Sequence, residues 1–298
     1  MHKLAHIVNP VVVKPTSDLY TAQPIAFESM QTAQKMAQTQ GIEVELFSAQ
    51  YAEDRRFAAQ YFQPTPDLSR SVLDVGQFAV QRKLPLLKDI LDALYEHAPE
   101  ADYLIYTNAD ITLVPHFYVS LSQLLQKYDA FVVNRRTISK QYDTPAELPL
   151  MYAEVGQPHR GHDCFIFSRT AYPSYRLDHV CVGISLVGMA LLVNLISNAA
   201  HFRQFKDFHL TFHLGNDAQW RSDKFDDYTL HNLQAVNRIV DAYQAQGDLA
   251  AHPLIDNFLA HRDPDYWTKR PQRMPPLQQR IKQRIKKSAK RSLKRLLP

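Results

Sequence analysis

Tyr103-Leu104-Ile105-Tyr106-Thr107-Asn108-Ala109-Asp110-Ile111-Thr112-Leu113 runs apolar, then polar, then apolar again. The opening residues, Tyr103–Thr107, are aromatic, aliphatic and β-branched and read as a buried strand. That strand ends in Asn-x-Asp. In extended chain, residues i and i+2 point to the same side, so Asn108 and Asp110 can face one ligand together. Two oxygen-bearing side chains suit a hard cation such as Mg²⁺ or Mn²⁺, or the ribose and diphosphate of a nucleotide. The competing reading is local, because Asn and Asp also make turns and helix caps with their own backbone.

The neighbouring sequence sets the context. Residues 4–13 form an apolar, β-branched run, a first strand. Residues 24–40 carry a helical stripe of Ile25, Met30, Ala33, Met36 and Ala37, closed by Gly41. Residues 42–47 alternate and read as a second strand. Residues 80–97 place Leu84, Leu87, Ile90, Leu91 and Leu94 at helical spacing. A helix is expected over 117–127, and strands over 130–134 and 164–168. Residues 18–24 and 63–71 read as loops. Strands alternating with helices predict an α/β fold with a mixed, mostly parallel sheet. Ligands gather at the carboxyl ends of such strands, which is where Asn108 and Asp110 stand.

Composition narrows the class. The chain has 298 residues, 45% of them hydrophobic, enough for a sizeable core. The two cysteines, Cys164 and Cys181, fall in no CxxC or Cys/His spacing, so neither a disulfide framework nor a structural zinc site is indicated. The usage fits a reducing cytosol. In "MHKLAHIVNPVVVKP" the apolar stretch is broken by His6, Asn9 and Pro10, and no small-residue cleavage site follows. It reads as a strand rather than a secretory signal. Residues 180–196 run 17 positions without a charge, at the lower limit of roughly 17–25 for a membrane span. Gly183, Ser185, Gly188 and Asn194, and flanks without a basic cluster, favour a buried helix of a soluble domain.

Charge is unevenly placed. From Arg270 onward there are 11 Lys and Arg and no acid, leaving 23 basic against 30 acidic residues in the rest. Leu277, Ile281, Ile285 and Ala289 are spaced by four, and Leu293, Leu296 and Leu297 extend the apolar set. After the linker "RPQRMPP" this predicts a basic amphipathic helix. Residues 277–297 would then lie on an anionic membrane surface. A solvated end and nucleic-acid binding rank lower. The expected organisation is a domain over 1–268 and a tail over 269–298. The expected location is cytoplasmic, with peripheral attachment to the inner face of the membrane.

The stretch "DYLIYTNADITLVPHFYVSL" (102–121) resembles the fourth-strand region of GT-A glycosyltransferases, especially family 2-like enzymes. There a strand ends in a DxD-type motif, followed by an apolar residue, a proline and a helix. Here Asn108 and Asp110 take the outer motif positions, and Pro115 and the helix from Phe117 follow. The strand over 4–13, the helix over 24–40 and "GIEVEL" (41–46) look like the nucleotide-binding half. "YDAFVVNRRTIS" (128–139) looks like the strand after the motif. "RGHDCFIFSR" (160–169) resembles the strand entering the acceptor side. "LTFHLGND" (210–217) resembles the late segment that carries a histidine metal ligand in many members. The likeness spans about residues 4–220 of the sequence.

The resemblance implies a metal-dependent transfer of sugar from a nucleotide-sugar donor to a glycan or lipid-linked acceptor. The cofactor would be Mn²⁺ or Mg²⁺. Asp110 would hold the cation, with His213 as a further metal contact. Asn108 would touch ribose or phosphate, because a neutral carbonyl oxygen ligates a hard cation less well than a carboxylate. "NPVVVKPTSD" (9–18) matches the donor loop loosely and places Asn9 by the nucleotide. His209 and His213 alternate along a strand and, at about 13 Å over four residues, cannot share one ion; His213, beside Gly215, is preferred. The usual Glu-Asp pair that supplies a catalytic base is absent from the uncharged 180–196 run. That leaves Asp163 as base or acceptor anchor, with Asp178 as the second candidate. Trp220 lines either a sugar pocket or the core. Two rivals remain: a nucleotide- or glycan-binding protein that lost its base, and a nucleotidyltransferase. The latter ranks lower because no Gly-rich phosphate loop lies near residues 9–14.

Overall fold

The computed structural model describes residues 2–215 and 223–268. The chain divides into two compact units, residues 1–262 and 263–298. The basic tail over 269–298 and Trp220 lie outside the described residues. In the second unit the described part is a short helix, Pro264–Thr268.

The first unit is built on one nine-stranded sheet. Its strands are β1 (Leu4–Val8), β2 (Val44–Ser48), β3 (Gln63–Pro64), β4 (Tyr103–Thr107), β5 (Thr112–Leu113), β6 (Ala130–Ile138), β7 (Gln157–Ser168), β8 (Phe202–Phe205) and β9 (Thr211–Leu214). The order is β3-β2-β1-β4-β7-β6-β9-β5, with β8 also paired to β6. Strands β3, β2, β1 and β4 run parallel, β7 is antiparallel to both β4 and β6, and β8 and β9 run parallel to β6. The helices of this unit are α1 (Asp18–Thr39), α2 (Arg55–Ala58), α3 (Leu87–His97), α4 (Phe117–Leu124), α5 (Leu148–Ala153), α6 (Val187–Asn198), α7 (Asp226–Gln246) and α8 (Pro253–Leu259). Every residue of β1 is buried, as expected of a strand covered on both faces. Ile25, Ala26, Phe27, Met30, Ala33 and Ala37 of α1 join Phe117, Tyr118 and Leu121 of α4 in one core beside the sheet.

Several sequence expectations change: the strand expected over 4–13 ends at Val8, and residues 63–64 of the expected loop form β3. Helix α1 begins at Asp18 rather than 24, so residues 18–24 are not a loop. The buried Gln23 side chain accepts from Val11 N at 2.9 Å and donates to Val11 O at 2.8 Å, pinning the first turns to the loop after β1. Pro24 follows as the seventh residue of the helix, where it has no N–H to donate to the Tyr20 carbonyl. The helix expected over 80–97 forms only from Leu87. Pro85 disfavours helical backbone just before it, and the chain there pairs instead with the 180–182 segment (Leu87 N to Val180 O 2.8 Å, Val182 N to Pro85 O 2.9 Å). The uncharged 180–196 run is helical only from Val187, because Gly183 and Leu186 take left-handed backbone at φ 91° and 79°. Helix α6 is a buried helix, and among the described residues no helix is long and apolar enough to cross a membrane.

Candidate active site

The candidate side chains converge where β4 ends beside β7. Thr107 of β4 pairs with Cys164 of β7, which brings the next residues, Asn108 and Asp163, together. On its other side β7 meets β6 with a shifted register: Val133 pairs with Cys164, but Asn134 pairs with His162. Asp163 is therefore the extra residue of a β-bulge, a device that re-aims a side chain out of the strand's alternation. Asn108 Nδ2 donates to Asp163 Oδ1 at 3.1 Å, and Tyr106 hydroxyl donates to Asn108 Oδ1 at 3.3 Å.

Gly161 makes room beside the bulge. A Cβ there would stand 2.6 Å from the His159 ring and 3.2 Å from Asp163 Oδ2. Asp163 Oδ2 has no hydrogen-bond partner, and neither has the buried Arg135 Nε that faces it at 3.5 Å. Burial pushes the Asp163 carboxyl up from its usual range. Arg135 opposes that shift, the Asp110 charge adds to it, and His213 and the Asn108 hydrogen bond oppose it.

The second pair is Asp110 and His213. His213 lies on β9, and its Nε2 stands 3.1 Å from Asp110 Oδ2. Its Nδ1 lies 2.9 Å from Gly215 O. A carbonyl only accepts, so Nδ1 carries the proton. Gly215 presents that carbonyl from left-handed backbone at φ 69°, a conformation natural to glycine. Nε2 faces the carboxylate, and that contact is satisfied by a positive charge between the two atoms, either a second ring proton or a bound cation. Burial acts to raise the Asp110 carboxyl, but the His213 hydrogen bond and the His213 and Arg135 charges outweigh it and hold it below the usual range.

These features fit a divalent cation. Asp110 Oδ1 is buried and unpartnered. The 3.1 Å between Asp110 Oδ2 and His213 Nε2 is close to the ~3 Å between neighbouring ligands of an octahedral ion bound at ~2.1 Å. The Nδ1–H to carbonyl bond is the outer contact that orients a ligating imidazole. Among the described residues no three His, Cys, Asp or Glu side chains form a metal-holding group. A carboxylate–imidazole pair leaves the remaining positions to phosphate oxygens and water, the usual arrangement for Mg²⁺ on nucleotides.

Asn108, Asp110, Asp163 and His213 are thus neighbours. Asn9 lies just past β1, in the loop whose Val12 N donates to Asp54 Oδ1 at 2.7 Å, and its own amide donates to Ala49 O at 2.7 Å. Asp178 does not join the group. Arg238 holds it in a fork at 2.7 and 3.0 Å, and those bonds outweigh burial to keep its carboxyl low. His209 precedes β9, and burial lowers its pKa. Sequence reasoning missed Arg135. Its only signal was two adjacent arginines inside an otherwise apolar strand, and both Arg135 and Arg136 are buried.

No family model matches the chain, and no curated protein matches it in sequence. Solved structures do match. Residues 1–349 of S. aureus TarS in complex with UDP-GlcNAc align over 82% of this chain and 73% of that one, with 9% identity and a TM-score of 0.50. The catalytic domain of Drosophila β1,4-galactosyltransferase 7 with xylobiose aligns over 72% of each chain at 10% identity and a TM-score of 0.40. The chain has the GT-A fold. At this identity the likeness to TarS concerns the fold alone.

Proposed function

We propose that the protein is a glycosyltransferase that takes sugar from a nucleotide-sugar donor in a cation-dependent reaction. The observation that carries this reading is the meeting of the Asp110–His213 pair with the buried Asp163 at the carboxyl end of β4. The fold shared with TarS, whose structure holds UDP-GlcNAc, supports it.

Asp110 and His213 would hold Mn²⁺ or Mg²⁺. When bound, the cation offsets negative charge on the departing nucleoside diphosphate. The loop beginning at Asn9 would seat the nucleoside, its shape fixed by Gln23 and Asp54. Asp163 would act as general base. In an inverting transfer the acceptor hydroxyl oxygen bonds the anomeric carbon, the bond from that carbon to the diphosphate breaks, and Asp163 Oδ2 takes the hydroxyl proton. The raised carboxyl of Asp163 suits that task, since a base works best with its pKa nearer the working pH. The acceptor would be a glycan or a lipid-linked glycan, with the basic segment over 277–297 drawing the enzyme to an anionic membrane surface.

The test is calorimetric titration of UDP-, GDP- and CMP-sugars with and without Mn²⁺, followed by an assay for transfer and slow donor hydrolysis. Mn²⁺-dependent binding with turnover supports the reading. Binding with no turnover, and no change in Asp163→Ala, would mark a binding module instead.

A further inference from the structure

Asn108 stands where the GT-A resemblance puts an acid, and the geometry gives that exchange a reason. Asp163, as a carboxylate, can only accept a hydrogen bond. The end of Asn108 that faces it at 3.1 Å must therefore be the amide nitrogen. The carbonyl end is then the one that accepts from the Tyr106 hydroxyl. Both ends of the carboxamide are engaged within the protein. An aspartate at 108 would set two carboxylates against each other, with Arg135 the cation beside them.

We propose that Asn108 is a positioning residue for Asp163, rather than a contact of the cation or the nucleotide. Its amide engages Oδ1 and leaves Oδ2 as the oxygen free to take a proton. Three observations support this. Oδ1 is bonded while Oδ2 is buried without a hydrogen-bond partner, with Arg135 Nε at 3.5 Å and His159 Nδ1 at 3.9 Å from it. Asp163 is the extra residue of a bulge, so the strand ladder alone does not fix its side chain. Tyr106, itself fully buried, holds the other end of Asn108. The inference rests on the reading of Asp163 as the base.

Asn108→Ala and Asn108→Asp separate the two roles, with Asn108→Ser as a further variant should either fail to fold. A positioning role predicts that Asn108→Ala keeps the Mn²⁺–nucleoside diphosphate Kd within about twofold and the donor KM unchanged. Its kcat falls about 100-fold, the scale of a misplaced reacting group. Asn108→Asp falls below Asn108→Ala, because a second carboxylate repels the first. In an Asp163→Ala background, Asn108→Ala costs little more, since residues acting as a unit are non-additive. A contact role predicts the reverse: Asn108→Ala weakens nucleotide binding tenfold or more, and Asn108→Asp restores or tightens it. That result overturns the inference while leaving the glycosyltransferase reading intact. If the wild-type chain binds no nucleoside diphosphate with Mn²⁺, the broader reading fails and this inference falls with it.

Discussion

Asp110 and His213, 103 residues apart in the sequence, meet at 3.1 Å at the end of β4. The imidazole is oriented from behind by Gly215 O, so its free nitrogen can only point at the carboxylate. Asp110→Ala should abolish the Mn²⁺-dependent part of nucleotide binding in calorimetry. It should leave the fold intact but lower thermal stability, because it removes a carboxylate whose pKa the fold depresses and leaves His213 Nε2 without its partner. His213→Ala should weaken Mn²⁺ affinity by at least the roughly 10–100-fold that loss of an outer-sphere partner costs. Equal Mn²⁺ affinity in wild type and both variants would remove the cation from this pair.

Asp163→Asn is the complementary change. The amide keeps the shape and can still meet Asn108 after a flip, but it cannot take a proton. Transfer should fall by about 10²–10⁴-fold, the usual worth of a general base, with donor affinity near that of wild type. Steady-state rates alongside nucleotide titrations check both parts. A large loss of donor affinity would mean that Asp163 holds the donor rather than the acceptor proton.

The local readings that worked are those in which one stretch of sequence carries its own signal. Tyr103–Thr107 needs no partner to declare itself a strand, and the structure places it there residue for residue. The strand expected over His209 to Leu214 forms only from Thr211, and His209 lies in the turn before β9. What could not be read depended on pairing. The bulge that turns Asp163 toward Asn108 exists only in the register between β6 and β7. Arg135, buried on β6 next to that irregularity, faces the same carboxylate. The overlong helix over 80–97 is a different failure. The leucine spacing was real, but Pro85 and the backbone bonds to Val180 and Val182 overrode it.

The basic segment over 277–297 yields a prediction from sequence. With apolar residues spaced by four among Lys and Arg, full-length protein should pellet with vesicles containing about 30% phosphatidylglycerol, a mixture that adds charge attraction to apolar insertion. Removing residues 276–298 should leave it in the supernatant, and added salt should release the full-length chain. Full-length protein that never pellets would end the membrane reading without touching the active site.

Two buried histidines set an acid limit on stability. His6 is fully enclosed between Tyr118 hydroxyl at 2.7 Å and Thr107 hydroxyl at 2.9 Å, and burial lowers its pKa to about 3. His162 accepts from the Gln204 amide at 2.9 Å, and burial, with the Lys206 charge, lowers its pKa to about 4. Both are neutral in the fold, while in the unfolded chain they take up protons as pH falls through about 6.5. The unfolded state then binds more protons, so stability falls with acid. Each histidine removes about 1.4 kcal/mol per pH unit below that point, until its folded pKa is reached. Urea unfolding between about pH 7.5 and 5, above the range where most carboxylates titrate, should show this slope. His162→Gln should keep an acceptor for Gln204 and lose one proton's share of the slope. An unchanged slope would place the linkage on other groups.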